Sequence, residues 1–167
     1  MKFIKISLPV LLLAMTSSCI KKADTSEKYF SDPMLYCSTV KKLNNVVLEN
    51  NFPPMIGSRN YAYANIAAYE CMAAGNKQFR SLAGQVNQLP PMPVPGAGKR
   101  INFNLAALLA FIKLGNAVTF PEGSLMAYYE ELKHNADSVG MPADVLENTL
   151  EFSDSVAAAI MRWSKKD

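Results

Sequence analysis

The sequence predicts an all-α fold, about five helices packed in a bundle-like arrangement. Three observations carry that expectation. Half of the 167 residues are apolar and 19% are charged, a balance that supports a packed core and excludes a disordered or polyelectrolyte chain. Apolar residues recur at steps of three and four along several segments, which are framed by Pro, Gly, Asp or Asn at positions that suit helix ends. Strand-like alternation bounded by turn residues is absent, as is any internal repeat. The length fits one domain of ordinary size. Seventeen Lys and Arg against fourteen Asp and Glu leave +3, too weak a bias to propose a nucleic-acid partner.

Residues 1–18 are set apart from the fold. Lys2 and Lys5 precede an apolar stretch at 8–15, and Thr16, Ser17 and Ser18 end it. That is the layout of an export signal, and the stretch is too short to span a bilayer. Cys19 follows directly, as at a bacterial lipoprotein cleavage site, where it would become the acylated N-terminus. Thr16 stands where Leu is usual. The polar residues 19–31 then suit a tether, and the predicted partner is a membrane reached through lipid on Cys19. The expected location is the periplasm or outer membrane. Removing residues 1–18 takes away two lysines and no acid, so the mature chain is closer to neutral.

The helical domain is expected over 32–167. Asp32 followed by Pro33 suits an N-cap with proline at the first helical position. Met34, Cys37, Val40, Leu43 and Val47 supply loosely periodic apolar positions up to Asn50. Pro53 and Pro54 stop this helix. Ser58 can cap a second helix that runs to Gly75 and is rich in alanine, which lets a neighbour approach closely. Four prolines within 89–98 favour an extended connector. Asn104 can cap a helix over 105–118 that is apolar on every face. This predicts the buried central helix of a bundle. Pro121 opens a helix that ends at Gly140, and Pro142 opens the last one. Leu146, Leu150, Val156, Ala157, Ile160 and Trp163 form the apolar face of that last helix.

Candidate chemistry is sparse. Asp144, Glu147, Glu151 and Asp154 lie opposite the apolar face of the last helix. No histidine accompanies them, so a solvated face accounts for them better than a metal site. His134, the only histidine, has no orienting partner or nucleophile in its vicinity and suits an exposed position near a helix C-terminus. Cys37 and Cys71 are expected as buried thiols on apolar helix faces, although export would also permit a disulfide between them. Arg59 and Glu70 point to nearly the same side of one helix but stand about 16 Å apart along its axis. They cannot pair with each other. Ion pairs to other helices are the plainer expectation, and an anion site that includes Arg59 is the sharper one.

The stretch Pro53-Pro54-Met55-Ile56-Gly57-Ser58-Arg59, continuing as an Ala/Tyr-rich helix to Tyr69-Glu70, resembles the early helical region of vanadium-dependent haloperoxidases. These belong with the type 2 phosphatidic acid phosphatase superfamily. Arg80-Ser81-Leu82-Ala83-Gly84-Gln85, the proline connector, Phe103-Asn104-Leu105-Ala106-Ala107, Gly140-Met141-Pro142 and Trp163-Ser164-Lys165-Lys166-Asp167 extend the resemblance in order from about Asp32 to the end. It implies an all-helical enzyme that binds vanadate or phosphate through a lysine, two arginines, a Ser-Gly-His segment and a final histidine. The sequence contains neither Pro-Ser-Gly-His nor Arg-x-x-x-Gly-x-His. No catalytic, cofactor-binding or metal-binding residue is therefore assigned, and Arg59 and Glu70 are read as scaffold. Vanadate is implied only for a complete family member. The expected function is the N-terminal scaffold region of an exported lipoprotein of this kind, inactive without a C-terminal catalytic half. The alternative is a self-standing helical lipoprotein that acts as a binding or interaction module.

Overall fold

The computed structural model describes residues 23–166, in which six helices pack together. They are α1 (Ser26–Phe30), α2 (Pro33–Glu49), α3 (Pro54–Gly75), α4 (Phe103–Ala117), α5 (Met126–Ser138) and α6 (Ala143–Ser164). The export signal and Cys19 lie outside the described residues. Among those described, no helix is long and apolar enough to cross a membrane.

The expected central helix is α4. Leu105 to Ile112 are all buried, as are Leu114 and Gly115, and α4 lies against each of the other five helices. Its closest neighbour is α3, which turns Ala64, Ala67, Ala68 and Cys71 inward, all at most 2% exposed. These short side chains let the two backbones approach. At Gly75 the space is taken by Phe103, and a Cβ there would come within 3.0 Å of the ring. α6 also packs on α4, and its Val145, Phe152, Val156 and Ile160 are buried. Thr149 and Ser153 are buried on the same helix, two polar positions that the apolar periodicity did not single out.

Several helix ends differ from expectation, each for a local reason. Asp32 does cap α2, accepting the Met34 N–H at 2.9 Å, with Pro33 first in the helix. Ser58 does not cap α3, which already begins at Pro54. A proline at the first position needs no intrahelical partner, and the Ser58 hydroxyl instead donates to Met55 O at 2.9 Å. Asn102, not Asn104, caps α4. Pro121 opens a turn rather than α5. Ser124 N–H donates to Pro121 O and Met126 N–H to Gly123 O, with Gly123 at φ 89°, and the helix starts only at Met126. The sixth helix is α1, which forms the end of the segment expected as a tether. Asp24 Oδ1 accepts from both the Ser26 N–H and hydroxyl, holding its carboxyl below the usual range, and Phe30 is buried in the core.

Cys37 and Cys71, the cysteines among the described residues, are free thiols, so the permitted disulfide between them is not formed. Cys71 is buried as expected, and burial together with the neighbouring Glu70 pushes its thiol pKa up. Cys37 is exposed, which corrects the expectation of a buried thiol. The inward face of α2 is set by Thr39, Leu43, Val46 and Val47, and Cys37 falls outside it.

Buried polar side chains close the two ends of α4. At its start, Asn102 Oδ1 accepts the Leu105 N–H at 2.8 Å. The Asn102 backbone N–H donates to Thr149 Oγ1 of α6 at 3.0 Å, and its Nδ2 donates to Glu27 of α1 at 3.2 Å. Asn104 adds a second amide to the same carboxylate at 3.1 Å. At the other end, Asn60 Nδ2 of α3 donates to Val118 O at 2.8 Å. Replacing Asn102 removes the cap, leaves the buried Leu105 N–H without its acceptor and breaks the amide bond to Glu27 of α1. Asn102→Ala is expected to lower stability by about 2 kcal/mol in denaturant unfolding. An unchanged midpoint would show that this junction contributes nothing.

Candidate functional site

The two scaffold candidates occupy opposite parts of α3. Arg59 is exposed near its start, and its Nε donates to the Tyr63 hydroxyl at 3.3 Å. The Tyr63 ring meets Trp163 of α6 edge-on at 5.7 Å, and Trp163 Nε1 donates to Asn87 O at 3.1 Å. Glu70 is only 2% exposed and accepts the Leu82 N–H at 2.6 Å. Next to it, the Tyr69 hydroxyl donates to Arg80 O at 2.9 Å. Glu70 therefore holds a backbone amide where an ion pair to another helix was expected. Sequence offers no signal for such a partner, because any loop can supply an N–H. Both ends of α3 thus hold the connection that follows it, one directly and one through Tyr63 and Trp163.

The acidic side of α6 is an ion-paired surface. Lys99 pairs with Glu151 and Lys113 with Asp154, while Arg100 reaches Asp144 at 3.4 Å. Such exposed pairs contribute little to stability. His134 is exposed on α5, one turn before its end and beside the Lys133–Glu130 pair. Among the described residues, no group of three His, Cys, Asp or Glu could hold a metal ion. An oxyanion such as vanadate needs several converging cationic or N–H donors. Here Lys99, Arg100, Lys113 and Lys133 each face a carboxylate, and they lie on the connector, α4 and α5 rather than in one pocket. These four cations do not form an oxyanion site.

A cleft of about 490 Å³ opens between α2 and α3, with α4 beneath it. Ala107 and Leu108 of α4 and Ala68 of α3 form its lower part; Phe30, Tyr36 and Met72 stand around it. The Tyr36 hydroxyl donates to Asn65 Oδ1 at 2.8 Å, and Asn65 Nδ2 donates to Tyr61 O at 2.8 Å. Burial pushes the Tyr36 hydroxyl pKa up to about 12. No sequence motif pointed to this cleft, since its lining comes from four helices far apart in the chain. The small residues of α3 were visible in advance, but the space left beside them was not.

No family model matches the sequence, and no curated protein does. A solved structure does: a bacterial vanadium-dependent iodoperoxidase, 30% identical, superposes with a TM-score of 0.76 over 81% of this chain. The chain spans 32% of the length of that protein. The all-α fold, its six described helices packed together, resembles part of a vanadium haloperoxidase.

Proposed function

We propose that this chain is the helical scaffold region of an exported, lipid-anchored protein of the vanadium haloperoxidase or type 2 phosphatidic acid phosphatase kind, without catalytic activity of its own. The observation that carries the proposal is the superposition of 81% of this chain on part of an iodoperoxidase. Lys99, Arg100, Lys113 and Lys133 are engaged with carboxylates on separate elements, which supports this reading. The Ser-Gly-His and Arg-x-x-x-Gly-x-His segments do not occur in the sequence. In this reading vanadate belongs to a complete relative, and the partner of this chain is a catalytic half that supplies the oxyanion ligands. Arg59 and Glu70 act as scaffold by fixing the connection after α3. Lipid on Cys19 holds the protein to a membrane in the periplasm or outer membrane. A second reading, a self-standing lipoprotein that binds a ligand or partner, is favoured by the cleft beside α4.

Three measurements test these roles. Titration of the purified chain with orthovanadate, followed by vanadium-51 NMR, is expected to show no saturable binding at micromolar concentrations; such binding would refute the missing-site reading. Cys19→Ala is expected to abolish incorporation of labelled palmitate and move the protein from the membrane to the soluble fraction, and retention of the label would refute acylation at Cys19. Glu70→Ala leaves the Leu82 N–H without its carboxylate and is expected to cost about 2 kcal/mol. Exchange of the Leu82 amide should then accelerate by about tenfold or more, with much of the protection restored in Glu70→Gln. Unaltered exchange in the alanine variant would remove the scaffold role of Glu70.

A further inference from the structure

The cleft between α2 and α3 has a definite chemical character. Its volume of about 490 Å³ lies within the range of small-molecule sites, roughly 300–1,000 Å³. Its surroundings are mainly aromatic and aliphatic, with Phe30, Tyr36, Met72 and Leu108 among them. The charged and amide groups at its edge are already engaged. Asp32 caps α2 through the Met34 N–H, and the Asn104 amide donates to Glu27. An anion would lose its hydration there and find no counter-charge, because the one charged side chain of the lining is the Asp32 carboxylate. In the wall, Tyr36 gives its hydroxyl hydrogen to Asn65, and Asn65 is held in turn by Tyr61 O. A hydroxyl has one hydrogen and two lone pairs, so the capacity left on the Tyr36 oxygen is that of an acceptor.

We propose that this cleft is a binding site for a largely apolar small molecule without negative charge that carries a single hydrogen-bond donor, which it directs to the Tyr36 hydroxyl oxygen. The walls belong to helices tied together by the Tyr36–Asn65 bond and, farther along, by the Tyr61 hydroxyl donating to Asn44 Oδ1 at 2.8 Å. The site is thus formed before the ligand arrives, which spares the ligand the cost of ordering it. The proposal does not depend on the haloperoxidase reading, because a scaffold and a self-standing lipoprotein would both carry the cleft.

N-phenyl-1-naphthylamine is a suitable probe. It is uncharged and aromatic, has one N–H donor, and becomes fluorescent when removed from water. The full chain is expected to bind it saturably at one site per chain with micromolar affinity. The anionic analogue 1-anilinonaphthalene-8-sulfonate should bind at least about tenfold more weakly. Met72→Trp fills the cleft and should weaken the probe by at least about tenfold. Tyr36→Phe keeps the volume but removes the acceptor and should weaken it about fivefold, the equivalent of one neutral hydrogen bond. Leu48 at the end of α2 and Ile56 at the start of α3 are exposed, and Leu48→Ser and Ile56→Ser should leave binding unchanged. Thermal unfolding of each variant separates misfolding from loss of the site. The proposal is overturned by absence of saturable binding, by equal affinity for the anionic analogue, by full affinity in folded Met72→Trp, or by loss of binding in the Leu48 and Ile56 variants. It is equally overturned if only a polypeptide, and no small probe, occupies the cleft.

Discussion

A fifteen-residue helix that is apolar on every side cannot meet water along any stripe, and the arrangement of the other helices follows from that constraint. Burying one Leu, Ile or Phe side chain stabilises by about 1.5–3 kcal/mol, and α4 buries Leu105, Leu108, Leu109, Phe111, Ile112 and Leu114. Covering it requires neighbours all round, which is why each of the other five described helices touches it. Lys113 is the exception that fits the rule. Its stem lies along the bundle while its ammonium reaches the edge, pairing with Asp154 and lying 5.8 Å from the centre of the Tyr129 ring. The backbone groups at the ends of α4 cannot be satisfied within the helix, so buried Asn102 and Asn60 are recruited from outside it.

The same constraint leads to the cleft. Where α3 lies on α4, its inward residues are alanine and cysteine, and close approach removes most of the space between the two axes. Small side chains pack well only while the facing surface is equally close. Beside Ala68 and Ala107 the wall is formed by Phe30 and Tyr36, and these large rings stand around the space without filling it. The hydrogen bonds that hold the rings in place, Tyr36 to Asn65 and Tyr61 to Asn44, keep α2 at a fixed spacing from α3.

The ion pairs described in this chain do not gather into an oxyanion site. Converging cations in a water-poor pocket are costly unless an anion completes them. In this chain the described Lys–Glu, Lys–Asp and Arg–Asp pairs sit at exposed edges and are already neutralised. The buried acid Glu70 accepts a backbone N–H from Leu82. The likeness to an iodoperoxidase therefore lies in the helical framework.

Much of the helical content was legible in the residues. Asp32-Pro33 announced a helix start, and the all-round apolarity of residues 105–118 announced the central helix. The resemblance to vanadium haloperoxidases rested on the α3 segment, and the superposition agrees with it at the level of the fold. What failed in advance were choices between near-equivalent local options. Asn102 and Asn104 are both good caps by type, and both amides reach Glu27; what distinguishes Asn102 is the hold of Thr149 of α6 on its backbone N–H. Ser58 and Pro121 are good start signals too, overridden by an earlier proline in one case and by a turn in the other. Cys37 looked inward by spacing and is outward by packing. Periodicity and end residues act within a few positions of the chain, so the sequence by itself determined which segments become helices and which of them must be buried. The partner of Glu70, the cap of α4 and the cleft beneath Tyr36 depend on groups brought together from distant segments, and only the tertiary structure decided them.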